Sequence, residues 1–381
     1  MAALGALIRG DLPPAGNPIA LRREGVLPAF AGYRPVWLNC GTAALALALQ
    51  LARLRRPELA QPEVVLPGYA CPDLVAAALF AGVKPVLADI GRDDPGYDLA
   101  ALAAVLGSNT IAVVAVNFLG IRERLDAIRT LLTERTDALL IEDDAQWFPE
   151  PLMQPPLAGD LVCISFGRGK PVSLLGGGAL LVSDALAPLL TAPRDMPGQS
   201  GYQLAVKTLA YNQLLRPQFY QLLSRNPWLG LGQTRFKPLA AIHAMDPVRL
   251  ALLPANIRKH VEDAGDVQRQ LCALLARCDG VRDLAAAAGE RCGRLLRYPV
   301  LCENEVARDR LWQRLRQAGL GATAMYQRAL PFIEGVAGRL AASPALPGAE
   351  AFAGRLLTLP VHAGVHRRHL RRLITVLRSE V

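Results

Sequence analysis

Short apolar runs and helix-period stretches alternate through the first half of the chain. Residues 63–66, 84–90 and 111–118 read as strands, and residues 72–81, 99–106 and 121–133 as the helices between them. The apolar run Ala138-Leu139-Leu140-Ile141 continues the rhythm, followed by strand-like segments at 162–166 and 179–182. Strands alternating with amphipathic helices predict βαβ units and an α/β fold with a mostly parallel sheet.

From about residue 193 to 238 the texture changes to Leu, Gln, Arg and aromatics, including Tyr202, Tyr211, Phe219, Tyr220, Trp228 and Phe236, with few acids. Pro217, Pro227 and Gly230 punctuate a helical pattern there. Such helices could cover a site, meet a partner subunit or rest on an anionic membrane face, and packing on the protein itself is the favoured expectation. From residue 254 a long helix is expected to expose Arg258, Lys259, His260 and Glu262. A small α/β lobe follows, with a strand at 295–301, a helix at 305–317, then the segment 322–326 and a final helix after His362.

A chain of 381 residues, 52% hydrophobic, exceeds what one core usually serves, so two domains are expected, 1–253 and 254–381. Residues 1–8 are apolar without a basic leader, and no run approaches the roughly 20 apolar residues that span a bilayer. The cytoplasm is the expected compartment. The net charge of +9 comes without a helix-turn-helix, RNP or zinc-finger pattern, so it argues for steering small anions rather than for nucleic acid. Seven cysteines at irregular spacing suit neither a disulfide framework nor a metal site. Cys272 and Cys278 are expected as small core residues. His366 and His369 stand at helical spacing among Arg367, Arg368, Arg371 and Arg372, which predicts a solvated helix.

Chemistry concentrates around Lys170, which ends Ser165-Phe166-Gly167-Arg168-Gly169-Lys170. Lysine is scarce here: the others are Lys84, Lys207, Lys237 and Lys259. Only lysine can condense with an aldehyde, because an arginine guanidinium does not deprotonate. The acids Asp143-Asp144 close the apolar run upstream, at the carboxyl end of a predicted strand where α/β folds gather ligands. That position favours Asp143. An amine, an acid for a pyridine nitrogen, and donors for a phosphate are what pyridoxal phosphate requires. The donors are read at Asn39-Cys40-Gly41-Thr42-Ala43-Ala44, where Thr42 is expected to cap a helix whose first turn attracts anions.

The order Gly41-Thr42-Ala43-Ala44, Leu66-Pro67-Gly68-Tyr69, 84–90, Glu142-Asp143-Asp144-Ala145-Gln146, 165–170 and Gly176-Gly177-Gly178 resembles the DegT/StrS sugar aminotransferases. Leu357-Thr358-Leu359-Pro360-Val361-His362 resembles that family's closing signature. The resemblance implies the fold type I, aspartate-aminotransferase architecture: a large domain whose mostly parallel, mixed sheet lies between helices, plus a smaller C-terminal α/β domain. It implies Lys170 as the lysine that carries pyridoxal 5'-phosphate, Asp143 on the pyridine nitrogen, Gln146 on the ring hydroxyl, and Ser165 with Gly41, Thr42 and Ala43 on the phosphate. It also implies a homodimer that moves an amino group from an amino acid, glutamate by analogy, to a nucleotide-linked keto-sugar, and places Tyr326 near the substrate.

Three positions depart from the family pattern. Cys71 stands where an aromatic ring usually stacks on the cofactor, so either Tyr69 takes that face or the ring is packed differently. Pro171 follows the lysine in place of asparagine and has no N–H to donate. The segment that reaches a second subunit falls near His243-Ala244-Met245. Two rival readings therefore stand: other pyridoxal phosphate chemistry on a sugar or carbonyl, and a regulator or scaffold that kept the fold.

Overall fold

The computed structural model describes residues 10–149, 157–195, 201–224, 234–340 and 344–378. Its large sheet has seven strands: β1 (Tyr33–Leu38), β2 (Glu63–Pro67), β3 (Lys84–Ala88), β4 (Thr110–Val116), β5 (Leu139–Asp144), β6 (Leu161–Ser165) and β7 (Gly178–Ser183). They lie in the order β1-β7-β6-β5-β4-β2-β3. Strands β2 to β6 run parallel, while β7 is antiparallel to both neighbours. The crossovers are helices α1 (Gly41–Arg55), α2 (Asp73–Phe80), α3 (Leu99–Val105) and α4 (Leu125–Arg135).

Period-two alternation sorts the strand residues into two cores, as a sheet covered on both faces requires. Val64, Leu66, Ile141 and Cys163 join the core under α1 and α2, whereas Val65, Val113 and Leu140 join the one under α3 and α4. Helix α1 is buried from Ala43 to Ala52 apart from Gln50. Its Ala and Leu residues leave no polar face, which suits a helix enclosed by the fold. The helix expected at 121–133 starts later, at Leu125, because Ile121 instead bridges Phe118 and Cys292.

Beyond β7 come α5 (Gly201–Leu214), α6 (Pro217–Ser224), α7 (Pro247–Val261), α8 (Asp266–Leu275) and α9 (Leu284–Ala288). Pro227, Trp228 and Gly230 lie outside the described residues. Helix α5 buries Leu204 and Thr208 and leaves Tyr202, Val206 and Leu209 exposed. On α7, Arg258, Lys259 and Glu262 are exposed as expected, but His260 is half-buried, edge-on to Phe148 at 5.9 Å. The expected boundary at 253/254 falls inside this helix.

The second sheet is antiparallel, β10-β9-β8, built from β8 (Val281–Asp283), β9 (Arg297–Cys302) and β10 (Leu356–Pro360). Helices α10 (Glu305–Gln317), α11 (Pro347–Arg355) and α12 (Arg367–Arg378) accompany it. The segment 322–326 forms neither strand nor helix. Thr323 makes a single bridge to Thr358, and left-handed backbone at Met325 and Gln327 turns the chain. Cys272 is exposed rather than in the core, and Cys278 is half-buried. The terminal helix is not simply solvated either: His369 is buried with Leu370, Leu373 and Leu377.

The two sheets are joined by Asp89, whose carboxylate accepts from Gly348 N and Ala349 N, both at 2.8 Å, at the start of α11. Only glycine fits at 348, since a Cβ there would lie 2.0 Å from Ile90 O. Among the described residues no helix is long and apolar enough to cross a membrane.

Candidate active site

The carboxyl ends of β5 and β6, the start of β7 and the first turn of α1 meet at one place. Asp143 reaches it from β5, on the same sheet face as Ile141 and Cys163. Its carboxyl is 5% exposed and accepts from Ala145 N at 2.9 Å. Burial raises its pKa, while the Ala145 N–H and the nearby Lys170 charge pull it down. Asp144 points to the opposite face, where Asn117 Nδ2 donates to Asp144 Oδ1 at 2.5 Å and to Glu142 Oε1 at 3.0 Å. Burial and the Glu142 charge push Asp144 well above the carboxylate range. Alternation along one strand thus separates an acid turned toward Lys170 from an acid bound into the scaffold.

Lys170 sits half-buried in the loop between β6 and β7, its N–H donating to Gly167 O at 3.3 Å. Pro171 needs no acceptor there. The loop folds back on itself through Leu174 N to Phe166 O (2.8 Å) and Phe166 N to Gly177 O (2.9 Å). Arg249 of α7 lies behind it, Nε donating to Leu174 O at 3.1 Å. From α5, Tyr211 faces the same loop: its hydroxyl lies against Ser173 without a hydrogen bond of good geometry.

The cap of α1 differs from the expectation. Cys40, not Thr42, occupies the N-cap, its Sγ accepting from Ala43 N at 3.4 Å. The helix starts two residues early because Gly41 is wedged against Ser165, where a Cβ would stand 2.6 Å from Ser165 Cβ and 2.9 Å from Oγ. Gly178 closes the other side, a Cβ there being 2.6 Å from Gly41 N. The first N–H groups of α1, at Gly41 and Thr42, therefore stand beside the Ser165 hydroxyl. Together they form an anion cradle of backbone and hydroxyl donors.

Cys71, rather than Tyr69, borders this centre. Burial pushes the Cys71 thiol up to about 12, and the Lys170 and Asp143 charges both act on it. Tyr69 is enclosed among Phe118, Tyr326 and Phe352, with ring centroids at 5.2–5.6 Å, and is 2% exposed. Gln146 is no surface amide: its Oε1 accepts from Leu119 N at 3.1 Å and its Nε2 donates to the Tyr326 hydroxyl at 2.9 Å. His243-Ala244-Met245 lies along the edge of its own β1, with Asn39 N to His243 O and Met245 N to Trp37 O both at 3.0 Å.

These side chains fit pyridoxal phosphate. A buried acid turned toward a lysine, with a donor cradle beside them, is the set that cofactor needs. Sequence reasoning missed Cys40 as the cap, Arg249 behind the loop and Tyr211 over it. None of the three carries a local motif.

The family model for the DegT/DnrJ/EryC1/StrS aminotransferase family matches residues 23–210 and 242–378. Protein MosB of Rhizobium meliloti is 28% identical over 258 residues, 64% of this chain and 49% of that protein. The L-glutamine:2-deoxy-scyllo-inosose aminotransferase of Streptomyces paromomycinus is 32% identical over 123 residues, 31% of this chain and 28% of that enzyme. The chain thus spans half or less of the length of these curated relatives. Among solved structures, Helicobacter pylori PseC, an aminotransferase, superposes with a TM-score of 0.68 at 16% identity, covering 92% of this chain and 87% of that one.

Proposed function

Since the chain belongs to the DegT/DnrJ/EryC1/StrS aminotransferase family, we propose that it uses pyridoxal phosphate to move an amino group from an amino acid to a nucleotide-linked keto-sugar, with glutamate as donor. The single observation that carries this reading is the buried Asp143 within reach of the Lys170 charge, beside the Gly41-Thr42-Ser165 cradle. When bound, the cofactor supplies an aldehyde and an electron-withdrawing ring.

The chain's own residues do the rest. Asp143 would hold its charge against the ring nitrogen, and the N–H groups of Gly41 and Thr42, with Ser165, would orient the phosphate. Ala43 N is already taken by Cys40 and contributes by position alone. Cys71 would form the wall on one ring face. Gln146 would approach the ring hydroxyl on a carboxamide already fixed by Leu119 and Tyr326. The Lys170 amine, once released by the donor, would carry the proton between the two carbons that exchange it. We place the division between a cofactor-binding domain and a C-terminal domain near residues 253–254, and infer a cytoplasmic homodimer.

A second acceptor class is favoured by the similarity to an aminotransferase named for glutamine and 2-deoxy-scyllo-inosose: a keto-cyclitol with glutamine as donor. One experiment tests both. Borohydride reduction should fix a pyridoxyl mass on the peptide containing Lys170 and on no peptide of Lys170→Ala. Loss of that fixation when glutamate, or glutamine, is added before the borohydride names the donor, and a panel of nucleotide keto-sugars and keto-cyclitols names the acceptor. No cofactor on Lys170 would overturn the reading.

A further inference from the structure

Arg297, at the start of β9, is a partly enclosed guanidinium set among tyrosines. Its Nη1 donates to Thr323 Oγ1 at 2.6 Å and lies 3.3 Å from Met325 Sδ. Its Nε is buried without a partner. Among the described residues no acceptor falls to Nη2 and no carboxylate pairs with Arg297. Tyr69, Tyr220 and Tyr326 are the groups close enough to act on its charge. The Tyr69 hydroxyl is also buried without a hydrogen bond of good geometry. A cation withdrawn from water with no counter-charge is costly, and a fold keeps one where an anion arrives.

The unpartnered edge is the informative one. Nε and Nη2 of a guanidinium form the planar fork that takes carboxylate or phosphate oxygens through two parallel bonds. Tyr326 connects this fork to the candidate active site, since its hydroxyl accepts from Gln146 Nε2 and the Asp143 and Cys71 charges act on it. Tyr220 supplies a wall from α6, within electrostatic reach of Arg297 and of Arg168, two residues before Lys170. Helix α6 is pinned in that position: Asp11 N donates to Pro217 O at 3.0 Å, and a Cβ on Gly10 would stand 2.6 Å from the Pro217 carbonyl carbon. The same arm reaches the second sheet's lobe through Leu12 N to Gly319 O at 2.9 Å. Residues 211–241 fall between the two stretches that the family model matches, so this wall comes from a segment outside the match.

We propose that the Nε/Nη2 edge of Arg297, walled by Tyr69, Tyr326 and Tyr220, is a substrate subsite for an oxyanion, either the carboxylate of the amino donor or a phosphate of the acceptor. The inference rests on the transaminase reading for the identity of those substrates.

Calorimetric titration of glutarate and of inorganic phosphate into the purified protein tests it, with Arg297→Met and Tyr220→Phe as variants. At least one anion should bind the wild type. Arg297→Met should weaken that binding about tenfold or more, and Tyr220→Phe about threefold. A loss confined to glutarate assigns the donor's carboxylate; a loss confined to phosphate assigns the acceptor. Arg297→Met should keep or raise Tm, because it removes an unpaired charge. A lower Tm with unchanged anion binding would mean that Arg297 merely holds Thr323, and would overturn the proposal, as would a wild type that binds neither anion. If anion binding depends on Arg297 while no amino group is ever transferred, the subsite stands and the transaminase reading falls.

Discussion

Asp246 and Arg249 form a buried ion pair on the first turn of α7, Oδ2 to Nη1 at 2.5 Å, with the two side chains 1% and 9% exposed. The same guanidinium donates to Leu174 O, so this charge pair sets the back of the Lys170 loop. Gly176 lies so near that a Cβ there would be 3.2 Å from Arg249 Nε. Asp246→Ala strands the guanidinium and removes the cap that Arg249 N uses. It should destabilise the protein by about 3–5 kcal/mol in urea unfolding. Cofactor release, followed by absorbance on dilution, should quicken in parallel. Slow release with normal stability would deny the loop its support.

Adjacent acids on one strand predict opposite outcomes. Asp143→Asn should leave the cofactor bound and slow amino transfer by about a thousandfold, because a neutral amide cannot hold a ring charge. Asp144→Asn should leave the rate within about threefold. Asp144 faces Asn117 and Glu142 on the other side of the sheet, and burial raises its pKa, so an amide of the same shape there leaves the charge beside Lys170 unchanged. Single-turnover absorbance with glutamate measures both. Equal losses would mean that the two faces of β5 are not chemically distinct.

Gly41 and Ser165 are coupled through space. Gly41→Ala forces a methyl to 2.6 Å from Ser165 Cβ, which should cost about 1–3 kcal/mol and push the first turn of α1 off the phosphate cradle. Ser165→Gly removes the clashing atoms at the expense of one donor. The double variant should therefore be more stable than Gly41→Ala alone, a non-additivity that thermal unfolding can read. Cofactor affinity should stay low in all three, since each lacks either the hydroxyl or the geometry.

The large sheet was legible because it follows local rules. Alternating apolar runs marked the strands, and the same alternation set Asp143 toward Lys170 and Asp144 away from it. What failed was decided at a distance. Cap preference pointed to Thr42, but the wedge of Gly41 against Ser165, 124 residues away in sequence, moved the cap to Cys40. No local pattern fixed an element at 322–326, where the left-handed residues flanking Tyr326 turn it toward Gln146. Neighbouring arginines made His369 look solvated, although its helical face is shared with Leu370, Leu373 and Leu377. Tyr220 and Arg297 belong to different segments, and no local pattern joins them.

His260 gives the fold an acid limit that a variant can remove. Burial, with Arg294 adding to it and Asp263 opposing it, lowers its pKa from 6.5 to about 4. The folded imidazole stays neutral where the unfolded one takes a proton. Its stabilising contribution is complete above the unfolded pKa and falls away as pH drops from 6.5 towards 4, by at most about 1.4 kcal/mol per pH unit. Asp144 acts with the opposite sign, because its raised pKa makes the folded state bind the extra proton at low pH. Comparing His260→Leu with wild type cancels that acid term and isolates the imidazole. The leucine keeps an apolar contact for Phe148, so the variant should lose less stability than wild type between pH 7 and pH 4.5. Urea unfolding at those two values measures the difference, and parallel losses in both proteins would show that His260 titrates as freely in the fold as outside it.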